Sequence, residues 1–139
     1  MYVKIVYTYA NIVMAKEKKI LNETDVLVQL AIKGMQEKKA EQITVLDLKE
    51  VRAAMFDNFI ICHGNSHAQV EAIADSVDHE IKKATGLNPW KTEGYANAEW
   101  ILLDYFDVVI HIFLKEAREF YRLESLWADG KRTDIPNLD

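Results

Sequence analysis

Apolar residues recur at helical spacing in three parts of the chain. The first part follows the polar stretch 22–25, which can cap a helix, and ends near Lys39; its apolar positions are Val26, Leu27, Leu30, Ala31 and Met35. The second begins at Ser66, an N-cap that pairs with Gln69 in a capping box, and ends at Gly86. The third begins near Glu116 and carries Phe120, Leu123, Leu126 and Trp127. The pattern predicts three amphipathic helices.

Short apolar runs between these helices predict the strands of a sheet. Residues 43–48 alternate in polarity. Residues 58–62 are predicted to be a second, more fully buried strand, because positions 59–62 are continuously apolar. A short strand is expected at 90–92, and the runs 100–103 and 108–113 flank a four-residue turn that predicts a hairpin. The order α-β-β-α-β-β-β-α indicates a single α/β (α+β) domain with a mixed sheet flanked by helices.

The ends of the chain differ in character from this central part. Residues 1–21 are expected to be an N-terminal extension outside the core, and Met14, followed by a polar stretch, is a candidate for the true start. The domain is assigned to residues 22–128. Residues 129–139 are polar, and we expect the tail from Gly130 onward to be frayed.

The net charge indicates which kind of binding partner to expect, and the cysteine content indicates which cellular compartment. The chain of 139 residues has a formal net charge of −5, so a phosphate backbone would repel it unless its few cations were clustered. A basic protein is therefore a more natural partner than bare nucleic acid. The single cysteine, Cys62, lies in an apolar run and allows no internal disulfide, which suits a reducing cytoplasm.

The carboxylates and histidines do not form a recognisable catalytic pattern. Asp104 and Asp107 lie three residues apart at the ends of a turn, whereas two carboxylates that share metal ions on a strand need a spacing of two. His111 is predicted to be a packing residue within a strand. His67 and His79 are twelve residues apart on one helix, which is not the spacing of a metal-binding pair. No metal site is expected.

The stretch Gly64-Asn65-Ser66 before a helix could in principle cradle an anion. It lacks the glycines and the lysine of a P-loop, and a turn followed by a helix cap explains every residue in it. The charged residues of the last helix, where Glu and Arg alternate, are expected to form a solvated face.

Aromatic residues flanked by carboxylates mark the predicted hairpin as a candidate binding surface. Large aromatic side chains with an acidic surround suit a basic protein partner. The residues placed on this surface are Trp100, Asp104, Tyr105 and Phe106, with Glu93 and Glu99 as further contributors.

Several motifs, in order and at compatible spacing, carry a resemblance to a known family. They are VLDL at 45–48, Asp57 with FIIC at 59–62, GNS at 64–66, EG at 93–94, W-x3-D from Trp100 to Asp104, D-VVIH at 107–111 and R-x2-Y-x-LE-x-LW at 118–127. Each fragment alone is weak. Together they resemble the ribosomal silencing factor family, also called Iojap-like, from about Asn22 to Trp127.

The resemblance implies an α/β fold related to nucleotidyltransferases but without known catalysis, and no cofactor. It implies binding to the large ribosomal subunit through its fourteenth ribosomal protein, on the face that meets the small subunit. Occupying that face would block subunit joining and repress translation in the cytoplasm when nutrients are short, as in stationary phase. The resemblance implies no membrane association and no direct DNA binding, and it allows a homodimer off the ribosome.

One residue departs from the family pattern. The family often has glycine where this chain has Phe106, and glycine would permit a positive φ in the turn, which phenylalanine resists. Either the turn takes a different shape here, or the phenylalanine ring adds a contact.

Two rival functions remain open on the sequence alone. One is a divergent nucleotidyltransferase-like enzyme or nucleotide-binding protein that uses Gly64, Ser66 and either Asp75 or Asp104. It predicts tight binding of nucleotide and Mg²⁺. The other is direct binding to ribosomal RNA, which predicts an affinity that falls steeply with salt and which the net charge disfavours.

Overall fold

The computed structural model describes residues 23–138 of the chain. The candidate start at Met14 and the extension 1–21 lie outside the described residues, so both stay predictions, as does the domain boundary at residue 22. The described part contains, in chain order, α1 (Glu23–Glu37), β1 (Glu41–Asp47), β2 (Asn58–Gly64), α2 (His67–Thr85), β3 (Lys91–Glu93), β4 (Trp100–Asp104), β5 (Val108–Leu114), α3 (Lys115–Tyr121), α4 (Leu123–Leu126) and β6 (Lys131–Ile135).

The six strands form one mixed sheet in the order β3-β4-β5-β2-β1-β6. Strands β4 and β5 form the expected antiparallel hairpin, and β2 pairs with β5 in parallel. The parallel pair is possible because α2 carries the chain across the sheet between them. The predicted mixed α/β class is thus confirmed, together with the predicted order of elements up to β5.

Helices α1 and α2 cover one face of the sheet. The apolar positions of both helices pack with alternate residues of β2, β4 and β5, such as Ile60, Ile101 and Ile110, in the main core. The helices approach closely at Gly34, where a Cβ atom would lie 2.7 Å from the Cα of Val77. Both helices therefore pack on the same face of the sheet. The opposite face is covered incompletely by the C-terminal part of the chain.

The C-terminal helix differs from the single helix predicted from Glu116 to Trp127. The chain breaks at Arg122, which has φ 48° and ψ 52°, so α3 and α4 are two short helices. The break turns Leu123 inward into a second core with Phe59 and Phe113. Together α3 and α4 cover only part of the second face of the sheet.

The prediction that the tail from Gly130 is frayed is wrong for residues 131–135. These residues form β6, which pairs antiparallel with β1 from Asp47↔Lys131 to Ile43↔Ile135. The Thr44 hydroxyl also donates a hydrogen bond of 2.9 Å to Oδ1 of Asp134. A polar segment is ordered here because the free edge of β1 offers backbone groups that need partners.

None of the helices among residues 23–138 is long and apolar enough to cross a membrane.

Candidate functional site

The six residues expected at the binding surface do not form one cluster. Trp100 and Asp104 occupy opposite ends of β4, and the turn that follows carries Tyr105 and Phe106. The structure therefore separates two regions. One is the sheet face around Trp100, and the other is the tip of the hairpin around Phe106.

Trp100 lies on the sheet face that α1 and α2 leave uncovered. Its ring packs against Phe113 with a centroid distance of 4.8 Å and against Tyr121 with one of 4.9 Å. Its indole Nε1 donates a hydrogen bond of 3.1 Å to Nδ1 of His111. The indole is thus held on both sides while remaining half-buried, which makes it a rigid aromatic surface.

The histidine beside Trp100 on the neighbouring strand is neutral. His111 is 4% exposed, and its burial lowers its pKa from 6.5 to about 3. Since Nδ1 accepts the indole hydrogen, the ring proton of the neutral imidazole belongs on Nε2. The expectation that His111 is a packing residue agrees with this environment, because the histidine packs against Phe59 and orients Trp100 from the neighbouring strand.

Exposed apolar side chains continue from Trp100 and form what we call the sheet-face patch, consisting of Trp100, Leu102, Phe120 and Tyr121. Leu102 is half-buried two residues along β4, on the same face as Trp100. Tyr121 is 49% exposed and Phe120 is 79% exposed at the end of α3, with their rings edge to face at 5.1 Å. Contiguous apolar groups left in water in this way commonly mark an interaction site.

Carboxylates surround the sheet-face patch. Glu93 is exposed on β3 directly opposite Leu102, and it pairs with Lys91 at 3.7 Å. Glu99 is exposed just before Trp100, and Asp104 follows Leu102 on the same face of β4. The patch therefore combines an apolar centre with an acidic rim.

A glycine lets β3 and β4 meet beside Trp100. Gly94 has φ 90°, and a Cβ atom at this position would lie 1.9 Å from the carbonyl oxygen of Trp100. No other residue could keep this backbone approach unchanged. The Glu93-Gly94 pair noted in the sequence thus supports the edge of the patch.

The tip of the hairpin is a separate region on the side of α1. Phe106 adopts φ 72°, and Oδ1 of Asp104 accepts a hydrogen bond of 2.8 Å from its backbone N–H. The exposed Phe106 ring packs on the exposed ring of Trp90 at 5.1 Å. The turn therefore keeps the positive φ that a glycine would favour, and the phenylalanine ring adds a contact as well.

Tyr105 was expected on the surface, but the structure buries it. Its side chain is 7% exposed and belongs to the core beneath α1 and α2. Burial, reinforced by the charge of Asp78, raises the pKa of its phenol. The alternation of β4 explains the error, because Tyr105 continues the inward positions Ile101 and Leu103.

The groups considered for catalysis are engaged in structural contacts. The hydroxyl of Ser66 accepts the backbone N–H of Gln69, whose side-chain oxygen accepts the N–H of Asn65. The sequence Gly64-Asn65-Ser66 is therefore a helix cap, as expected. Asp75 accepts a hydrogen bond from the Tyr95 hydroxyl at 3.2 Å.

Cys62 is fully buried, and burial raises its thiol pKa to about 12, so it is not a nucleophile near neutral pH. Within residues 23–138 no three His, Cys, Asp or Glu side chains converge in a way that could hold a metal ion.

Sequence reasoning missed three residues that shape this face of the sheet. Leu102 belongs to the sheet-face patch, and strand alternation from Trp100 could have identified it. Tyr121 was missed because its position depends on the helix break at Arg122, and the pattern of charged residues does not predict that break. Arg118, expected on a solvated face, is 7% exposed, because its guanidinium donates to the carbonyl of Gln42 and to Thr44.

Comparisons with known proteins agree with these motifs. The family described as "Ribosomal silencing factor during starvation" matches residues 21–139. The ribosomal silencing factor RsfS of Halalkalibacterium halodurans is 44% identical over 115 residues, covering 81% of this chain and 94% of the relative. RsfS of Bacillus subtilis is 38% identical over 115 residues, covering 83% of this chain and 95% of that protein.

Solved structures give the same answer for the fold. A crystal structure of a protein from Chromobacterium violaceum superimposes with a TM-score of 0.72 at 34% identity, covering 77% of this chain and 88% of the other. The motifs, the mixed sheet and the extent of these matches lead to one conclusion: the chain belongs to the ribosomal silencing factor family.

Proposed function

We propose that this protein represses translation by binding the large ribosomal subunit and blocking its union with the small subunit when nutrients are limited. The partner is a ribosomal protein on the intersubunit face, the fourteenth of the large subunit. The protein acts in the cytoplasm and uses no cofactor. Family membership supports a role at the ribosome, and the chemistry of the sheet-face patch supports a protein as the immediate contact.

The observation that carries the proposal is the environment of Trp100. Interface energy is concentrated in a few aromatic anchors that are rigid before binding and become fully buried in the complex. Trp100 is fixed by Phe113, Tyr121 and His111, yet it remains half-buried. It therefore loses little conformational entropy when a partner covers it.

The acidic rim gives the patch a preference for basic partners. Glu93 and Asp104 lie beside Leu102, and Glu99 precedes Trp100, against one lysine, Lys91, which pairs with Glu93. The net charge of the chain is −5. Rim charges of this kind act mainly on the rate and the selectivity of association. They favour a basic ribosomal protein and disfavour a direct contact of this patch with RNA phosphates.

Silencing needs only occupancy of the intersubunit face. A protein that binds the free large subunit and not the joined ribosome withdraws the free subunit from the joining equilibrium by mass action. No reaction is required of the bound protein. The side chains assigned contact roles are those of the patch and its rim: Glu93, Glu99, Trp100, Leu102, Asp104, Phe120 and Tyr121. The buried Tyr105 has a supporting role, and the exposed Phe106 at the hairpin tip is the alternative contact.

The test is sedimentation of purified large and small subunits with the protein added at moderate salt. We expect the wild-type protein to migrate with the large subunit and to reduce the fraction of joined ribosomes. A Trp100→Ala variant should weaken subunit binding by about thirtyfold, the loss typical of an interface hot spot. Sedimentation of the free protein in the same buffer also reports whether it forms a homodimer.

Trp90→Ala is the matched control, because Trp90 is also an exposed tryptophan but lies at the hairpin tip. Its subunit binding should equal that of the wild type. Tyr121→Ala, which removes a half-exposed ring, gives a second probe of the patch should Trp100→Ala perturb folding. The proposal fails if the wild-type protein does not migrate with the large subunit. Loss of binding in Trp90→Ala alone would move the contact to the hairpin tip.

A further inference from the structure

A cavity of about 270 Å³ lies on the other side of α3 from the sheet-face patch. Basic side chains supply much of its lining, and they come from α3, from the α3–α4 break and from β6. The charged residues around it are Lys115, Arg118, Arg122 and Arg132, with Glu119 and Glu124. Four cations thus meet two carboxylates in a protein whose overall charge is negative. We propose that this cavity binds a phosphate group.

The floor of the cavity is a buried and oriented arginine. Arg118 is 7% exposed, and its Nε pairs with Glu124 at 2.7 Å. Its Nη1 donates to the carbonyl oxygen of Gln42 at 2.7 Å and contacts Nδ1 of His63 at 3.1 Å, and its Nη2 donates to Thr44 at 3.2 Å. These four contacts hold the guanidinium in one orientation, and one N–H of Nη2 remains in addition to them.

The neighbouring histidine adds no charge to this floor near pH 7. His63 is buried between Arg118 and Glu41, and its pKa is lowered by burial and by the charge of Arg118. It is therefore neutral near pH 7, with Nδ1 accepting from Arg118. Among residues 23–138, Glu124 is the carboxylate that pairs with Arg118 directly, Asp134 pairs with Arg132, and Lys115 and Arg122 form no ion pair with a carboxylate.

The rim supplies cations that can reach a ligand. Lys115 and Arg122 are both exposed, and the Arg122 guanidinium makes only a long bond of 3.4 Å to the carbonyl of Glu119 within the described part of the chain. Arg132 is exposed and bonds Asp134 at 3.0 Å, outside the cavity lining. Charge-assisted bonds from such groups to phosphate oxygens are short and strong.

The chemistry of the lining, rather than its size, favours a phosphate group. Sites for drug-sized molecules are lined mostly by apolar walls. The side chains that line this cavity are all charged or polar. The phosphate can belong to a free phosphorylated small molecule or to the backbone of ribosomal RNA beside the bound protein, because both present the same oxygens.

The position of the cavity links it to the sheet-face patch. Tyr121, which packs on Trp100, is followed directly by Arg122, and Arg118 lies one helical turn earlier on α3. The patch and the cavity therefore share one short helix on one face of the sheet. A protein partner on the patch and a phosphate in the cavity can be held at the same time.

The first experiment is calorimetric titration of the full chain with pyrophosphate in a chloride buffer at low salt. The test variant combines Lys115→Gln with Arg122→Gly, and glycine suits the positive φ at position 122, so the fold is kept. The control combines Lys38→Gln with Lys82→Gln, which removes two exposed cations that do not line the cavity. We expect the test variant to bind pyrophosphate at least about tenfold more weakly than both the wild type and the control.

The second experiment measures binding to the large subunit over a range of salt concentrations and rests on the proposed function. If the ligand is RNA phosphate, the contact needs the protein partner on the sheet-face patch to hold it, so free pyrophosphate gives no measurable heat. The test variant then lowers the salt slope of subunit binding by about one for each phosphate-binding cation that it removes. Pyrophosphate binding that is abolished in the test variant assigns a small phosphorylated ligand, even if the wild-type protein fails to bind the subunit. Pyrophosphate bound equally by the test variant, or no effect in either experiment, overturns the proposal.

Discussion

The indole N–H of Trp100 points at Nδ1 of His111, 3.1 Å away on the same face of the sheet. The bond exists only while that nitrogen is unprotonated, because a protonated imidazole has no lone pair to accept it. Burial keeps the imidazole neutral by lowering its pKa to about 3. The orientation of Trp100, the proposed interface anchor, therefore depends on His111, a titratable residue that is uncharged at neutral pH.

Acidification should destabilise the fold through His111. Its pKa is about 3 in the folded protein against 6.5 in the unfolded chain, so the unfolded state binds the proton more readily between these values. The contribution is complete above pH 6.5 and is lost as the pH falls toward 3. It should lower the free energy of unfolding by up to about 1.4 kcal/mol for each pH unit within that interval. Urea unfolding at a series of pH values measures this slope.

A His111→Gln variant separates this contribution from that of His63, whose pKa is also lowered by burial. Glutamine keeps an oxygen acceptor for the indole but does not titrate, so the variant should show a shallower slope between pH 6.5 and pH 4. His79→Gln, at an exposed position of α2, is the control for a histidine-to-glutamine change away from Trp100. Parallel profiles for wild type and His111→Gln would contradict the assignment.

Phe106 should contribute to stability in two opposite ways, through backbone strain in the hairpin turn and through packing of its ring. The positive φ of 72° costs a non-glycine residue about 1 kcal/mol, whereas packing on Trp90 returns a similar amount. Phe106→Ala keeps the strained backbone and loses the ring, so it should be less stable than the wild type. The free energy of unfolding of Phe106→Gly, measured in urea, should be about 1 kcal/mol higher than that of Phe106→Ala, because glycine removes the backbone strain.

The same pair of substitutions in a Trp90→Ala background tests the interpretation. Without the Trp90 ring, Phe106→Gly should stabilise the protein relative to its own parent by about 1 kcal/mol. If glycine and alanine at position 106 were equally stable in both backgrounds, the φ of 72° would carry no strain in solution.

Hydrophobic periodicity was sufficient to predict α1, α2 and the β4–β5 hairpin, because these elements bury residues at the regular spacing of a helix or a strand. The capping of α2 was predictable for the same local reason, since Ser66 and Gln69 satisfy backbone groups within one turn. Membership of the family followed from the order of the motifs. These features depend on residues close together in the chain.

Features that depend on distant residues were not predictable. Arg118 is buried because β1 offers it the Gln42 carbonyl and the Thr44 hydroxyl, which lie more than seventy residues away. The strand β6 exists because β1 has a free edge, and nothing in its polar sequence signals a strand. Within the candidate site, Tyr105 was assigned to the surface without regard to strand alternation, which buries it. Trp100 is half-buried on the opposite face, and its role as a contact stays a prediction.

Removing the guanidinium of Arg118 should be strongly destabilising. An Arg118→Ala substitution leaves the Glu124 carboxylate without its 2.7 Å partner and frees the Gln42 carbonyl and the Thr44 hydroxyl. Breaking a buried ion pair from one side typically costs about 3–5 kcal/mol. Thermal and urea unfolding should both show this loss.

The control is Arg122→Gly, one helical turn later, where the backbone already has φ 48° and the side chain is exposed. Its stability should equal or exceed that of the wild type. Arg118→Lys should recover little, because an ammonium group cannot reproduce the forked contacts. Recovery by lysine would mean that charge, and not the hydrogen-bond geometry, stabilises this site.

The edge strand β6 should protect β1 from self-association. A chain that ends at Gly130 lacks the five residues paired with β1 and the Thr44–Asp134 hydrogen bond, so β1 becomes an open edge able to pair with another copy. We expect this truncation to lower the free energy of unfolding and to produce concentration-dependent association in light scattering. A chain that ends at Asn137 keeps β6 and the bond from Gln42 N to the Asn137 side chain, and it should remain as stable as the full chain. Equal stability of the two truncated chains would show that β6 adds nothing to the fold in solution.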